Sequence, residues 1–420
     1  MTIIEALTAK ITRDVLTAID ASDPLARFRD QFYVPEGVLY FDGNSLGAVP
    51  KTVEGRLQTA IRDEWGTGLV RSWNSAGWYE MPRRVGNKIA RLIGADEGEV
   101  VVADSTSVNL FKVLAAAVKL NPARHVIISE PDNFPTDLYM AQGLIQLLGS
   151  DHQLVLKAAD EIMEAIDEDT AIVMLTHVNY RTGAMHDMKA ITAYAHEKGA
   201  LVIWDLAHSA GAMPVDLNGA NADFAIGCGY KYLNGGPGAP AFVYVAKRHH
   251  ANFSQPLSGW MGHAKPFAFD WKYEPAEGVA RYLAGTQPVL SMIALECGVD
   301  VMLEADLKLV RQKSLAMADL FIQLVEEHCA GYGLELVTPR DGSKRGSQVS
   351  YSHPQGFPIM QALIAQGVIG DYREPNILRF GFTPLYVSYT DVWDTVNILA
   401  NILSDRTWAK PEFQKRGNVT

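Results

Sequence analysis

The residues of this chain best suited to chemistry are a lysine on a glycine-rich turn, an acid at the end of an apolar run and a histidine three residues past that acid. Lys231 stands in Ile226-Gly-Cys-Gly-Tyr-Lys-Tyr-Leu-Asn-Gly-Gly-Pro-Gly238; Asp205 closes Leu201-Val-Ile-Trp-Asp205, and His208 follows. A strand that ends in an acid points that acid at the carboxyl end of a sheet, where open α/β sheets bind their ligands. A carboxylate there can hold a protonated pyridine nitrogen. A nearby lysine amine can condense with an aldehyde, and glycines let backbone approach a flat ring. Together these residues meet the needs of pyridoxal phosphate (PLP). Taken singly, each has a plainer reading: Lys231 as a surface lysine, Asp205 as a helix cap, His208 as a polar residue at the sheet end.

Other segments supply the remaining parts of such a site. Asp104-Ser-Thr-Ser-Val-Asn109 follows an apolar run and opens a helix, so Thr106 and Ser107 offer hydroxyls and free backbone N–H groups to a phosphate. Simple capping accounts for the same pattern. In Glu130-Pro-Asp-Asn-Phe-Pro-Thr-Asp137, Phe134 could stack on the ring and Asp137 could reach its polar groups; a core phenylalanine in a proline-rich turn is the alternative. Arg379 lies in Ile377-Leu-Arg-Phe-Gly381, a cation among apolar neighbours. Either a forked contact to a substrate carboxylate or a structural ion pair would satisfy it. Trp65, Trp73, Trp78 and Tyr79 cluster, as do Trp260 and Phe267, which fits an aromatic pocket or ordinary packing. The histidines His177, His186, His249 and His250 make no metal-ligand set, and no metal is expected.

The elements that must position these residues alternate. The strands expected are Glu99–Ala103, His125–Ser129, Ala171–Leu175, Leu201–Trp204, Phe224–Ile226 and Ala241–Val245. The helices expected cover 106–120, 136–148 and 188–199. Short continuous apolar runs between helical segments indicate a parallel sheet covered on both faces. Before them come helices over 3–20, from Pro50 to about Trp65, and over 78–94. Residues 250–286 lack a period and read as a functional or interface segment. A helical stretch over 287–328 leads to strands Leu334–Val337, Gln348–Tyr351 and Ile377–Gly381, with helices at 358–366 and 389–404. The expected organisation is an N-terminal helix and arm (1–50), a large α/β domain (51–290) and a linker helix with a small α+β domain (291–420).

Composition narrows the field. The 420 residues are 48% hydrophobic and 20% charged, an ordinary soluble balance with ample length for a large core. A net charge of −11 repels nucleic acid and anionic lipid, so neither is expected as a partner. The three cysteines, Cys228, Cys297 and Cys329, are widely spaced and form no CxxC pair or Cys/His cluster, so no zinc or disulfide framework is expected, which fits a reducing cytoplasm. No apolar run nears the roughly 20 residues that span a bilayer, and the N-terminal residues do not read as a signal peptide.

Asp205-x-x-His208, Lys231 and Gly235-Gly-Pro-Gly238 resemble the class V branch of PLP enzymes with the aminotransferase-type fold (fold type I). More narrowly, the chain resembles the kynureninases through Phe41-Asp-Gly-Asn-Ser-Leu-Gly47, Phe134-Pro-Thr-Asp137, Tyr230-Lys231, Trp260-Met-Gly-His263 and the Arg379 strand, over about residues 25–405. The resemblance implies a large domain with a mostly parallel seven-stranded sheet and hydrolysis of L-kynurenine, often with its 3-hydroxy derivative, to anthranilate and L-alanine. It makes Lys231 the Schiff-base lysine, Asp205 the pyridinium partner, and Thr106, Ser107 and Tyr230 phosphate contacts. Tyr230 also becomes the candidate for proton handling. His208 and Thr176 lie near the cofactor, Phe134 stacks on it, Asp137 reaches its polar groups, and Trp260 and Thr286 come from the second subunit of a homodimer. Arg379, Asn44, Trp73 and His263 fall to the substrate. Position 286 is Thr where eukaryotic members tend to carry Asn, which bears on the 3-hydroxyl group.

Two rival readings follow from the same residues. A desulfurase-like lyase or an aminotransferase would share the fold, but a desulfurase needs a nucleophilic cysteine on a flexible loop. Cys228 lies beside the lysine turn and Cys329 in a helical pattern, and neither meets that need. A PLP-binding sensor would not need Asp205, His208, Lys231 and Arg379 all together.

Overall fold

The computed structural model describes residues 11–149 and 151–415. The chain divides into two compact units, in place of the three segments expected. The larger comprises Thr52–Tyr180 and His186–Leu303; the other takes the chain up to Lys51, Arg181–Met185 and the chain from Glu304 onward. The N-terminal segment joins the second unit through specific contacts. Arg13 forks onto Asp394 with two 2.8 Å hydrogen bonds, and Leu39–Tyr40 pairs in parallel with Val368–Ile369.

The larger unit is built on a seven-stranded sheet. Its strands in chain order are β1 (Val100–Val102), β2 (Val126–Ser129), β3 (Gln153–Leu156), β4 (Thr170–Thr176), β5 (Leu201–Asp205), β6 (Phe224–Gly227) and β7 (Phe242–Val245), arranged β1-β7-β6-β5-β4-β2-β3. All neighbours pair in parallel except β7, which runs antiparallel to both β6 and β1. Every residue of β1, β4, β6 and β7 is buried, as expected of strands covered on both faces. Its longer helices are α1 (Met81–Leu92), α2 (Thr106–Leu120), α3 (Pro135–Leu148), α4 (Met188–Glu197) and α5 (Val289–Glu304). Strand β3 went unanticipated. It is a half-exposed edge strand bonded only to β2, and its apolar run is three residues long.

Two helical expectations change in detail. The helix expected from Pro50 to Trp65 is α-helical over Thr52–Thr59 and then widens into π-turns over Ala60–Gly68. The stretch expected over 287–328 breaks into α5 and α6 (Leu307–His328), because Asp306 caps the second helix by accepting from the Lys308 N–H at 2.8 Å. The helix expected over 3–20 spans Arg13–Ala21, with Thr12 as its cap; residues 3–10 lie outside the described residues.

The second unit carries an antiparallel sheet of β8 (Glu335–Leu336), β9 (Gln348–Ser352), β10 (Asp371–Arg373) and β11 (Ile377–Gly381), in the order β8-β9-β11-β10. Helices α7 (Gly356–Ala365) and α8 (Tyr389–Ser404) complete it, the latter opened by a capping box between Ser388 and Asp391. The unanticipated strand β10 sets Asp371 directly opposite Arg379.

Candidate active site

The parallel register sets one side of the site. Thr176 at the end of β4 lies opposite Asp205 at the end of β5, and Asp205 lies opposite Ile226 in β6. The carboxyl ends of three adjacent strands therefore finish together, and the turn after β6 carries Tyr230 and Lys231. A cavity of about 530 Å³ opens there, of a size for a cofactor and a small substrate. Its lining includes Thr106, Ser107, Phe134, Asp137, Thr176, Asp205, His208, Tyr230, Lys231 and Thr286, ten of the residues singled out from the sequence.

The lysine turn is held by close backbone approach. A Cβ on Gly298 of α5 would stand 2.2 Å from the Leu233 carbonyl oxygen, and one on Gly235 would stand 2.8 Å from Leu295 Cδ1. Neither position has room for a side chain. Lys231 Nζ hydrogen-bonds His208 Nε2 at 2.9 Å and lies 5.9 Å from the ring centres of both Phe134 and Tyr230. The side chain is thus aimed along an aromatic corridor into the cavity.

Beneath it, Asp205 and Asp137 form a buried acid pair. Asp205 accepts from the Ala207 N–H at 2.7 Å, and its neighbour Asp137 sits in the first turn of α3. Burial raises both carboxyl groups above the ordinary carboxylate value. For Asp137 the Asp205 charge and a mutual hydrogen bond add to the rise, while the Lys231 charge opposes it in both. Asp137 Oδ2 is buried with no hydrogen-bond partner. A buried acid pair with an unsatisfied oxygen calls for a proton donor, and a pyridinium N–H is one. The opposite wall offers Thr106 and Ser107 at the start of α2, whose cap Ser105 accepts from Val108 N–H. That end suits a phosphate. Phe134, 41% exposed, presents an aromatic face to the cavity and meets Tyr180 edge-on at 5.2 Å. The residues present therefore fit PLP.

Burial, with smaller contributions from Cys228 and Asp205, pushes the Tyr230 phenol up, so it stays protonated at neutral pH.

The other candidates lie elsewhere. Trp260 is 40% exposed, meets Phe267 edge-on and is not on the cavity wall. Trp73 packs against Trp78 at 5.8 Å. His263 packs edge-on against Tyr273 and accepts from Lys265 N–H at 2.8 Å. Thr286 lines the cavity of its own chain, a placement that needs no second subunit. Arg379 and Asn44 belong to the second unit. Arg379 Nε donates to Asp371 Oδ1 at 2.7 Å, its Nη2 donates to Asp371 Oδ2, and Nη2 also reaches Ser45 Oγ at 2.9 Å. Asn44 is fully buried, with neither amide atom hydrogen-bonded.

Three contributors escaped the sequence reading. Tyr180 follows β4 at the ligand-binding end of the sheet, a position that signals it. Asn133 accepts from both the Phe134 N–H (2.7 Å) and Thr176 Oγ1, joining two cavity residues. Lys112 lies in the middle of α2, where nothing in the sequence marks it out. Among the described residues no group of His, Cys, Asp and Glu could hold a metal.

Comparison with known proteins agrees with this geometry. The kynureninase C-terminal domain family matches residues 310–399, and the DegT/DnrJ/EryC1/StrS aminotransferase family matches residues 68–225. A kynureninase of Pseudomonas fluorescens is 58% identical over 414 residues, covering 97% of this chain and all of the relative. One of Burkholderia pseudomallei is 57% identical with the same coverage. Among solved structures, a cysteine desulfurase from Thermococcus onnurineus superposes with a TM-score of 0.75 at 21% identity, over 90% of this chain and 98% of that one. The C-DES protein with glycine covalently linked to its PLP cofactor gives 0.76 at 16% identity, over 89% and 99%. At those identities the likeness speaks for the fold: fold type I, a large mostly parallel sheet with a small antiparallel C-terminal sheet.

Proposed function

The chain belongs to the kynureninase family, and on that footing we propose that it hydrolyses L-kynurenine to anthranilate and L-alanine with PLP as cofactor. The 3-hydroxy substrate, giving 3-hydroxyanthranilate, falls within the same reading. The enzyme is a PLP-dependent hydrolase of carbon–carbon bonds in ketonic substrates, acting in tryptophan catabolism. The observation that carries this is the gathering of Lys231, His208, the Asp137–Asp205 pair, Phe134 and the start of α2 around one cavity.

When bound, PLP supplies a carbonyl that condenses with amines and a ring that draws electrons from the substrate's Cα and Cβ. Lys231 would be the residue that holds it, and its free amine would move the proton at the substrate's Cα. The 2.9 Å contact between His208 and Lys231 Nζ supports a share for His208 in that proton movement. Asp205 and Asp137 would hold a proton on the ring nitrogen. Thr106 and Ser107 would anchor the phosphate, and Phe134 would offer its aromatic face to the ring. Water adds to the aryl ketone; the bond between Cβ and the carbonyl carbon breaks, and the water oxygen leaves in the anthranilate carboxylate. Tyr230, kept protonated, would donate to the ketone oxygen as water adds and regain a proton from that water; as the bond to Cβ breaks it would donate to Cβ and take a proton from the hydrate. Arg379 orients the α-carboxylate, with Asn44, Trp73 and His263 also assigned to the substrate.

The working form is a homodimer in which Trp260 reaches the partner's cavity. Its exposure and the neighbouring exposed rings of Phe267, Phe269 and Trp271 support this. A cytoplasmic setting accords with three free cysteines. No described helix is long and apolar enough to cross a membrane. Cysteine desulfuration is disfavoured: no cysteine lines the cavity, and Cys228 is buried with its thiol raised by that burial.

The test is direct. The purified holoenzyme, mixed with L-kynurenine, should develop anthranilate fluorescence with stoichiometric alanine. Sulfide release from cysteine without anthranilate would overturn the reading.

A further inference from the structure

Lys112 is completely buried in the second turn of α2, yet its amine joins two segments that are far apart in sequence. It pairs with Asp104 Oδ2 and donates to the Tyr282 carbonyl oxygen at 2.6 Å. Both partners border the cavity. Asp104 precedes the cap of α2 and lines the cavity beside Ser105, Thr106 and Ser107; Tyr282 immediately precedes the lining segment Leu283–Pro288.

The local geometry explains how one side chain does this. Side chains on a helix lean towards its N-terminus, so a lysine two turns in reaches back past the cap. Asp104 adopts φ +47°, a left-handed conformation that costs a non-glycine residue about 1 kcal/mol or more. Something must hold it there. Its carbonyl accepts from Ala241 N–H at 2.9 Å, Asn109 Nδ2 pins the preceding Ala103 carbonyl at 2.8 Å, and Lys112 holds the carboxylate. This turn decides where the first N–H groups of α2 point.

We propose that Lys112 is a positioning residue for the phosphate end of the cofactor cavity. It fixes the strained turn before α2 and ties that turn to the 283–288 wall, so that the anion site exists before the ligand arrives. The proposal rests on the PLP reading of the cavity. Lys112 touches neither cofactor nor substrate; it acts through Asp104 and Tyr282.

The test compares PLP with pyridoxal, which lacks the phosphate, as ligands of the apoenzyme, with dissociation constants read from protein fluorescence. In Lys112→Met, affinity for PLP should fall about tenfold or more, while affinity for pyridoxal should change less than about threefold. Inorganic phosphate should compete less well with PLP, and kcat at saturating PLP should fall far less than PLP affinity. Parallel losses for PLP and pyridoxal, or a lowered melting temperature with both affinities intact, would make Lys112 a packing residue and overturn the proposal. Should Lys112→Met fail to fold, Asp104→Asn removes the same link from its partly exposed end and must show the same phosphate-selective loss. Failure of the PLP reading looks different, since wild-type apoenzyme would then bind neither ligand.

Discussion

Lys231 Nζ and His208 Nε2 lie 2.9 Å apart, joining the turn after β6 to the segment after β5 above a buried pair of acids. That contact orients the amine towards the cavity. Borohydride reduction of the holoenzyme, followed by peptide mapping, should place the cofactor on Lys231. Lys231→Ala should retain no detectable turnover. Label on any other lysine would sink the assignment.

The Asp137–Asp205 pair makes the apoenzyme sensitive to pH. Both groups are raised in the folded state, so the native protein binds more protons than the unfolded chain above the ordinary carboxylate value of 3.8. Their contribution to stability is complete below that value and is lost as pH rises through the raised one. Asp137→Asn should therefore raise the apoenzyme melting temperature progressively more as the pH increases, and should weaken PLP binding. Calorimetry from pH 5 to about 8 checks this; a pH-independent difference would argue against a shared proton.

Arg379 should govern substrate affinity. Asp371 keeps Arg373 at 2.7 Å and the Ser45 hydroxyl at 2.8 Å, so Arg379→Ala should cost about 1–3 kcal/mol of stability as well as raising KM. Arg379→Lys should recover little, because the fork is gone. Asp42 adds a pH term. Burial, then the Asp371 charge, pushes its carboxyl up to about 7. Ionising it sets a second negative charge near Arg379. KM for L-kynurenine should then rise several-fold as pH climbs through about 7, and Asp42→Asn should flatten that rise. An unchanged profile in the variant would detach Asp42 from substrate binding.

The dimer proposal has a complementation test. Lys231→Ala and Trp260→Ala, each inactive alone, should recover activity when mixed and allowed to exchange subunits. About half of the dimers are then mixed, each with one intact site, so recovery should approach a quarter of wild type by a binomial count. Demonstrated exchange without recovery would return Trp260 to a role within its own chain.

Much of this was legible in the sequence, for a physical reason. Strand ends and helix starts carry their chemistry locally, so Asp205, Thr106, Phe134 and Lys231 could be placed from the elements around them. What escaped was set by partners distant in sequence. Strand β10 is three residues long and exists because β11 pairs with it. Asp371, the partner of Arg379, was hidden with it. The break between α5 and α6 turns on one capping aspartate inside an otherwise continuous apolar pattern. Lys112 looks like any helical lysine until the fold brings Asp104 and Tyr282 to its amine.

The fit of Gly298 and Gly235 against the lysine turn also bears on how this catalyst could be altered. A change at either glycine would shift the backbone that aims Lys231, so inherited or engineered variation in substrate range has no route through that side of the cavity. Variation is open to the positions whose side chains already face solvent or the cavity, such as Thr286 and Phe134. A library built to broaden the accepted aryl group should diversify those positions and leave the contact between α5 and the turn untouched. Survivors should keep Gly298, because a new side chain there would strike backbone atoms of Leu233 and Asn234 that no substitution at those positions removes.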